Sequence, residues 1–220
     1  MIFLSHLLDS NTPTYGNRNQ FYINKKSSIA NGDIANDSYI STTVHIGTHI
    51  DMPYHFYENG QTIEDFDANF WIFKKVLFVE IEPNNIIIKD ELISKLEQIE
   101  DDNYEILILK TGICHIRDKD EFWEKNYGFA PEIYSFIVDK FPHIRIFGFD
   151  SISVSSITNR MLGREAHKKF LNTTKPLLLL EDMDLRNIDK NTKIKQLVVS
   201  PIRIAKCDGL PCTVLGMLDD

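Results

Sequence analysis

The sequence is poor in cysteine, and its few cysteines form no recognisable pair. Cys114, Cys207 and Cys212 leave one thiol over in any disulfide scheme, and none of them belongs to a Cys-x-x-Cys motif. Small secreted domains usually carry a dense, even set of cysteines. A disulfide framework is therefore not expected, and a reducing cytoplasm fits this composition best.

Long apolar runs and excess positive charge are also missing. The longest candidate, the four leucines of "PLLLLE", is far shorter than the about 20 apolar residues of a membrane span. The opening "MIFLSHLL" lacks a basic leader, so we expect no signal peptide. A net charge of -8 without a basic stripe argues against a phosphate-backbone partner. We expect neither a membrane nor a nucleic acid as a partner.

The remaining pattern predicts one α/β domain spanning residues 1–220. The chain has 220 residues, 43% of them hydrophobic, and no linker or low-complexity segment divides it. The early part is β-rich, with a hairpin turn predicted at Asn31-Gly32. Later, the apolar strand patterns "EILILKTG", "IRIFGFD" and "PLLLLE" alternate with helical patterns over 86–99, 130–141 and 159–172. This alternation is typical of parallel strands joined by crossover helices.

One short segment concentrates the polar chemistry. In "VHIGTHIDMPYHF", residues 44–56, the side chains of His45, His49, Asp51 and His55 all stand at odd positions. An extended chain would project them to one side, whereas a helix would separate Asp51 from the histidines. Gly47 permits a bend that brings them together. We interpret the segment as a strand that runs into an irregular loop of converging ligands.

These residue types point to a metal centre. Imidazole nitrogen and carboxylate oxygen suit zinc and manganese, and a catalytic site keeps a position open for water. A second candidate pair is His167, near the end of a predicted helix, and Glu181, after an apolar strand where burial would require a partner. A surface location for both residues is the alternative.

The string "HIGTHIDMPYHF" resembles the His-x-Gly-Thr-His-x-Asp-x-Pro-x-His-Phe signature of the cyclase family of metal-dependent hydrolases. That family includes kynurenine formamidase (arylformamidase) and isatin hydrolase. Weaker similarities follow in the family's order, among them "LSHLLDSNTPTYGN", "IFGFDSISV", "AHKKFL" with "LLLLEDMDL", and "PCTVLGML". They extend over nearly the whole chain.

The resemblance implies a swivelling β/β/α fold with a mixed barrel-like sheet and outer helices. It implies one or two divalent ions, zinc first and manganese second, and a homodimer or larger homo-oligomer. His45, His49 and Asp51 would hold the first ion, and Asp51 would bridge to a second held by His167 and Glu181.

Two further residues receive roles from the resemblance. His55 matches the family's acid/base histidine, although it could instead orient a metal ligand. Tyr15 stands where the kynurenine formamidases carry a tryptophan that stacks on the substrate. Fourteen positions separate His167 from Glu181, somewhat more than in those enzymes, which suggests either a small insertion at 172–174 or another residue in the role assigned to Glu181.

The expected activity is hydrolysis of a C–N amide bond in a small molecule by metal-activated water, with N-formyl-L-kynurenine as the default substrate. The alternatives are another small amide, a cyclic amide such as isatin, or a lactone. A non-catalytic metal-binding protein of the same fold is the alternative from a different class. The complete set of ligand-type residues in 45–55 favours an enzyme.

Overall fold

The computed structural model describes residues 1–18 and 20–219, and its strands and helices alternate much as predicted. The strands are β1 (Ile2–Phe3), β2 (Tyr22–Ser27), β3 (Asp37–Ser41), β4 (His49–Asp51), β5 (Ile72–Phe73), β6 (Val76–Glu80), β7 (Ile87–Ile88), β8 (Ile106–Lys110), β9 (Gly128–Phe129), β10 (Ile146–Phe149), β11 (Leu178–Glu181), β12 (Ile194–Pro201) and β13 (Gly209–Leu218). The helices are α1 (Asp90–Glu97), α2 (Glu121–Glu124), α3 (Glu132–Lys140) and α4 (Arg160–Phe170).

Nine strands form one mixed sheet. Its order is β5-β12-β13-β4-β11-β10-β8-β6, and β1 pairs with β13. Strands β6, β8, β10 and β11 run parallel, whereas β4 is antiparallel to both β11 and β13. The helices α1, α3 and α4 are the crossover connections between successive parallel strands. The predicted α/β class with a mixed, barrel-like sheet and outer helices is confirmed.

Three of the parallel strands, β8, β10 and β11, form the centre of the core because they contain no polar residue before their last position. All residues of Ile106–Lys110, Ile146–Phe149 and Leu178–Glu181 are buried. Such continuous burial is expected where helices cover a parallel sheet. Polar residues are confined to the ends of these strands, and Glu181 is the last residue of β11. The polar side chains of these strands therefore lie at the strand ends.

Two local predictions differ from the structure. Strands β2 and β3 do form a hairpin, but a 3₁₀ turn at Ile29–Asn31 lies within its longer connection. Within the motif, only His49–Asp51 is strand; bends precede it and a 3₁₀ turn at Pro53–His55 follows it. The reason in the second case is Gly47, whose φ of 55° turns the chain out of the extended conformation. No helix among the described residues is long and apolar enough to cross a membrane.

Candidate metal centre

Strand pairing brings the first polar groups of the site together. His49 and Asp51 lie two positions apart in β4, so their side chains leave the same face of the strand. The antiparallel pairing of β4 with β11 sets Glu181 directly opposite His49. Directly opposed residues share a face of the sheet. A predicted strand end far along the sequence therefore meets the histidine motif.

Backbone carbonyl groups fix the orientation of two histidines. His49 Nδ1 donates to the Gly47 carbonyl at 2.8 Å, and His167 Nδ1 donates to the Gly163 carbonyl at 2.8 Å. Because a carbonyl oxygen only accepts, the donated proton is on Nδ1 in both rings. Each Nε2 then faces the carboxylates. Metal-binding histidines commonly use their second ring nitrogen in this way.

The spacing of the ligand atoms fits a divalent metal. His49 Nε2 lies 3.4 Å from an oxygen of Asp51 and 3.4 Å from one of Glu181. His167 Nε2 lies 3.5 Å and 3.8 Å from the other oxygens of these two carboxylates. These separations exceed ordinary hydrogen bonds. Two ligand atoms at about 2.1 Å from a tetrahedral ion would be about 3.4 Å apart. Both carboxylates thus offer one oxygen to each histidine, as bridging ligands do.

His45 and His55 form the solvent-facing side of the cluster. His45 Nδ1 lies 2.8 Å from Asp51 Oδ1, and its Nε2 lies 2.9 Å from Asp208 Oδ2. His55 Nδ1 contacts the same Asp208 oxygen at 3.1 Å. The ligand atoms of His45, Asp51 and His55 also lie within 4.8 Å of one another. The geometry therefore allows His55 either a metal-ligand position or the acid/base position.

Burial makes the charges of this cluster interdependent. His49, Asp51 and Glu181 are at most 4% exposed. Burial opposes a charged imidazole, but the adjacent carboxylates of Asp51 and Glu181 outweigh it and raise the pKa of His49 well above its usual value. Burial opposes a charged Asp51 carboxylate, yet the surrounding histidines hold its pKa well below the ordinary range. Without a metal, protons occupy the nitrogen atoms that a metal would use.

The cluster lies at the base of a cavity of about 360 Å³. That volume is within the range of small-molecule sites. Tyr15 and Phe56 line this cavity together with the cluster, and the Phe56 ring stacks on His167 with centroids 4.7 Å apart. The structure therefore brings His45, His49, Asp51, His55, His167, Glu181 and Tyr15 to one cavity.

The predicted insertion at 172–174 lies outside the residues that line the cavity. Residues 171–177 form a loop between α4 and β11. Within it, the Asn172 side chain accepts from the backbone of Thr174 and Lys175 and donates to the Lys169 carbonyl. This closed turn lets both ends of the segment keep their positions at the site.

Sequence reasoning missed Asp208 and the residues that hold His167. Asp208 lies just before β13, and no local pattern marks it as functional. The next residue, Gly209, begins β13 and pairs with Asp51 of β4. An added Cβ on Gly209 would lie 2.5 Å from the His45 ring. At His167, the missed partner is Ser155, whose hydroxyl lies 3.2 Å from Nδ1.

Comparison with known proteins places this geometry in a family. The model of the Cyclase family, described as "Putative cyclase", matches residues 2–156. The kynurenine formamidase of Bacillus cereus is 26% identical over 210 residues, which covers 96% of this chain and 93% of that protein. Cyclase-like protein 3 of Oryza sativa subsp. japonica is 25% identical over 201 residues, 84% of this chain and 67% of that protein.

Solved structures show the same fold at lower sequence identity. Isatin hydrolase A from Labrenzia aggregata superposes with a TM-score of 0.80 at 19% identity, over 100% of this chain and 93% of the other. A potential metal-dependent hydrolase with cyclase activity superposes with a TM-score of 0.75 at 22% identity, over 98% of this chain and 96% of the other.

Proposed function

The chain belongs to the cyclase family, and we propose that it is a metal-dependent amidohydrolase that opens the C–N bond of a small arylformamide. N-formyl-L-kynurenine is the default substrate. The observation that carries the proposal is the set of His49, Asp51, His167 and Glu181. Their ligand atoms are buried, and the distances between them are those expected for ligands of a bound divalent metal. The names of the relatives support the reaction class.

We assign the ligands as follows. His45, His49 and Asp51 would hold one ion, and His167 with Glu181 would hold a second, with Asp51 shared. Asp51 and Glu181 each place one carboxylate oxygen near His49 Nε2 and the other near His167 Nε2, which supports two ions. Zinc is our first choice and manganese the second, because nitrogen and oxygen donors accept both. When bound, such an ion lowers the pKa of a water and polarises the amide carbonyl.

His55 supplies the proton transfer in this proposal. Its Nδ1 is held by Asp208 at 3.1 Å, which leaves Nε2 to take up a proton or to give one to the leaving nitrogen. Histidine is the side chain that most often serves as a general acid or base. Tyr15 would stack on the aromatic ring of the substrate from the cavity wall.

The test is hydrolysis of N-formylkynurenine by protein that has been stripped with a chelator and reconstituted separately with zinc and with manganese. We expect turnover to return only with metal. Isatin, assayed in parallel, tests the cyclic-amide alternative. Metal binding without turnover of either compound would rule out both substrates and leave another small amide, a lactone or a non-catalytic protein of this fold. Turnover by fully stripped protein would contradict the proposed mechanism.

We also propose that the chain assembles as a homodimer or larger homo-oligomer. The support is the β2–β3 hairpin, which exposes four large apolar side chains, Tyr22, Ile23, Tyr39 and Ile40, each more than half exposed. A two-stranded hairpin alone is only marginally stable in water. Light scattering should give a mass above that of one chain, and an Ile23→Lys, Ile40→Lys variant should shift it toward the monomer. An unchanged mass distribution would show that this hairpin is not the interface.

A further inference from the structure

Three arginines, Arg18, Arg160 and Arg164, line the same cavity as the metal-site residues. We call them the arginine cluster. Arg160 and Arg164 are one helical turn apart at the start of α4, and Arg18 follows the 3₁₀ turn at Tyr15–Asn17. We propose that this cluster binds an anionic group of the substrate, and that the cavity prefers an amide with a net negative charge over a zwitterionic amino acid. This inference rests on the proposed amidohydrolase function and narrows its substrate class.

The arginine cluster is not part of a generally basic surface. The chain carries a net charge of -8, so positive groups are the minority. Within residues 1–18 and 20–219, the arginines that form ion pairs are Arg117, Arg145 and Arg186, and no carboxylate pairs with the cluster. Three unpaired guanidinium groups around one cavity leave their charge available to a ligand.

The position of two of these arginines is also unfavourable for the helix. Arg160 is the first residue of α4, and the first turn contains no acidic residue. The N-terminus of a helix carries partial positive charge, so cations there destabilise it. The helix gains nothing electrostatically from this placement. A ligand anion would be attracted by both arginines and by the helix end.

Tyr15 connects the cluster to the metal site. Burial raises the pKa of Tyr15, and the nearby charges of Arg160 and Arg18 oppose that rise while the charge of Glu181 adds to it. Tyr15 lines the cavity together with Arg18, Arg160 and Glu181. A substrate ring stacked on Tyr15 would reach the metal site at one end and the arginine cluster at the other.

The cavity offers no matching site for an ammonium group. Among the described residues, its only carboxylates are Asp51 and Glu181, both of which we assign to the metal. The arginine cluster would attract the carboxylate of N-formylkynurenine but would repel its ammonium group. Guanidinium groups bind carboxylates and phosphates through paired hydrogen bonds. A plain carboxylate therefore complements the cavity better than an amino acid does.

Three compounds with one carbon skeleton test this. They are N-formylkynurenine, its deamino analogue 4-(2-formamidophenyl)-4-oxobutanoate, and the primary amide of that analogue, which are zwitterionic, anionic and neutral. We expect kcat/KM of the metal-loaded enzyme to be highest for the anion and about 10-fold or more lower for the neutral amide. The Arg160→Gln, Arg164→Gln variant should lose this preference, because its kcat/KM should fall more for the anion than for the neutral amide. Lys168→Gln, on the outer part of the same helix, is the matched control and should keep the preference.

A binding measurement separates this inference from the proposed function. Calorimetry with the deformylated product, 4-(2-aminophenyl)-4-oxobutanoate, and with its amide needs no turnover. If no compound is hydrolysed but the carboxylate binds better and the arginine variant removes the difference, the anion site stands and the proposed hydrolase fails. If hydrolysis occurs with equal kcat/KM for anion and neutral amide, or if the arginine variant lowers both equally, the anion site is refuted.

Discussion

Asp208 is expected to position two histidines at once, and its removal should lower both metal affinity and turnover. The same oxygen, Oδ2, contacts His45 Nε2 at 2.9 Å and His55 Nδ1 at 3.1 Å. Hydrogen bonds that involve a charged group contribute about 1.5 to 3 kcal/mol. Because the Asp208 side chain is 41% exposed, solvent screening reduces this to about 1 kcal/mol for each contact. That corresponds to about fivefold in each affected constant.

The assay uses Asp208→Asn, which removes the charge but keeps an accepting oxygen, and Asp208→Ala, which removes both. Metal affinity is measured by competition with a chelator, and kcat is measured at saturating metal. We expect about fivefold losses of each in Asp208→Asn and larger losses in Asp208→Ala. Asp139→Asn, an exposed aspartate on α3, is the control and should match the wild type.

The two readouts separate the two contacts. Lower affinity with unchanged kcat would limit the role of Asp208 to His45, and the reverse would limit it to His55. Asp208 also raises the pKa of His45 and so favours a proton over a metal, which makes the affinity loss smaller at neutral pH than above pH 9. If Asp208→Ala retains wild-type affinity and kcat at both pH values, the reasoning from these contacts is refuted.

Three further predictions concern the histidines. His49→Ala should abolish metal retention and activity together, while His143→Ala, an exposed histidine outside the cavity, should change neither; metal-free activity in His49→Ala would contradict the ligand assignment. His55→Ala should lower turnover by about 10²- to 10⁴-fold and retain the metal, and loss of metal by inductively coupled plasma analysis would make His55 a ligand. Burial lowers the pKa of His45, but Asp51 and Asp208 outweigh it and raise that pKa to about 9, above the ordinary 6.5. The stabilisation from protonated His45 is therefore complete below pH 6.5 and is lost as the pH rises through about 9. The Tm of metal-free protein should fall over this window, and an unchanged Tm would refute the coupling.

The sequence predicted those parts of the site that lie close together in the chain. His45, His49, Asp51 and His55 fall within eleven positions, so spacing alone indicated that they converge. The apolar strand before Glu181 and the helical pattern around His167 located those residues on elements. Their meeting with His49 depends on the pairing of β4 with β11, and the family resemblance supplied that expectation.

Asp208 and the arginine cluster were missed for different physical reasons. Asp208 reaches the site only because β13 pairs with β4, and strand pairing between distant segments has no local signal. Arg160 and Arg164 have the i, i+4 spacing of one helix face, a pattern that usually marks a solvent-exposed surface. Only the cavity shows that this face borders the site. Local sequence patterns therefore do not predict which distant strands pair or which surface residues border a cavity.

In the proposed metal centre, protons would compete with a bound metal ion for the same nitrogen atoms, and that competition would have a structural consequence. In the metal-free chain, the buried carboxylates of Asp51 and Glu181 are compensated by histidines whose pKa values are raised. A bound divalent ion would take over this compensation and release protons. The buried carboxylates are thus compensated by protonated histidines without metal and by the ion with metal. Removal of the metal therefore does not leave an uncompensated buried charge, and such a charge would be strongly destabilising. The sheet that aligns β4, β11 and β13 can therefore persist without metal, and metal loss at neutral pH should be reversible without global unfolding.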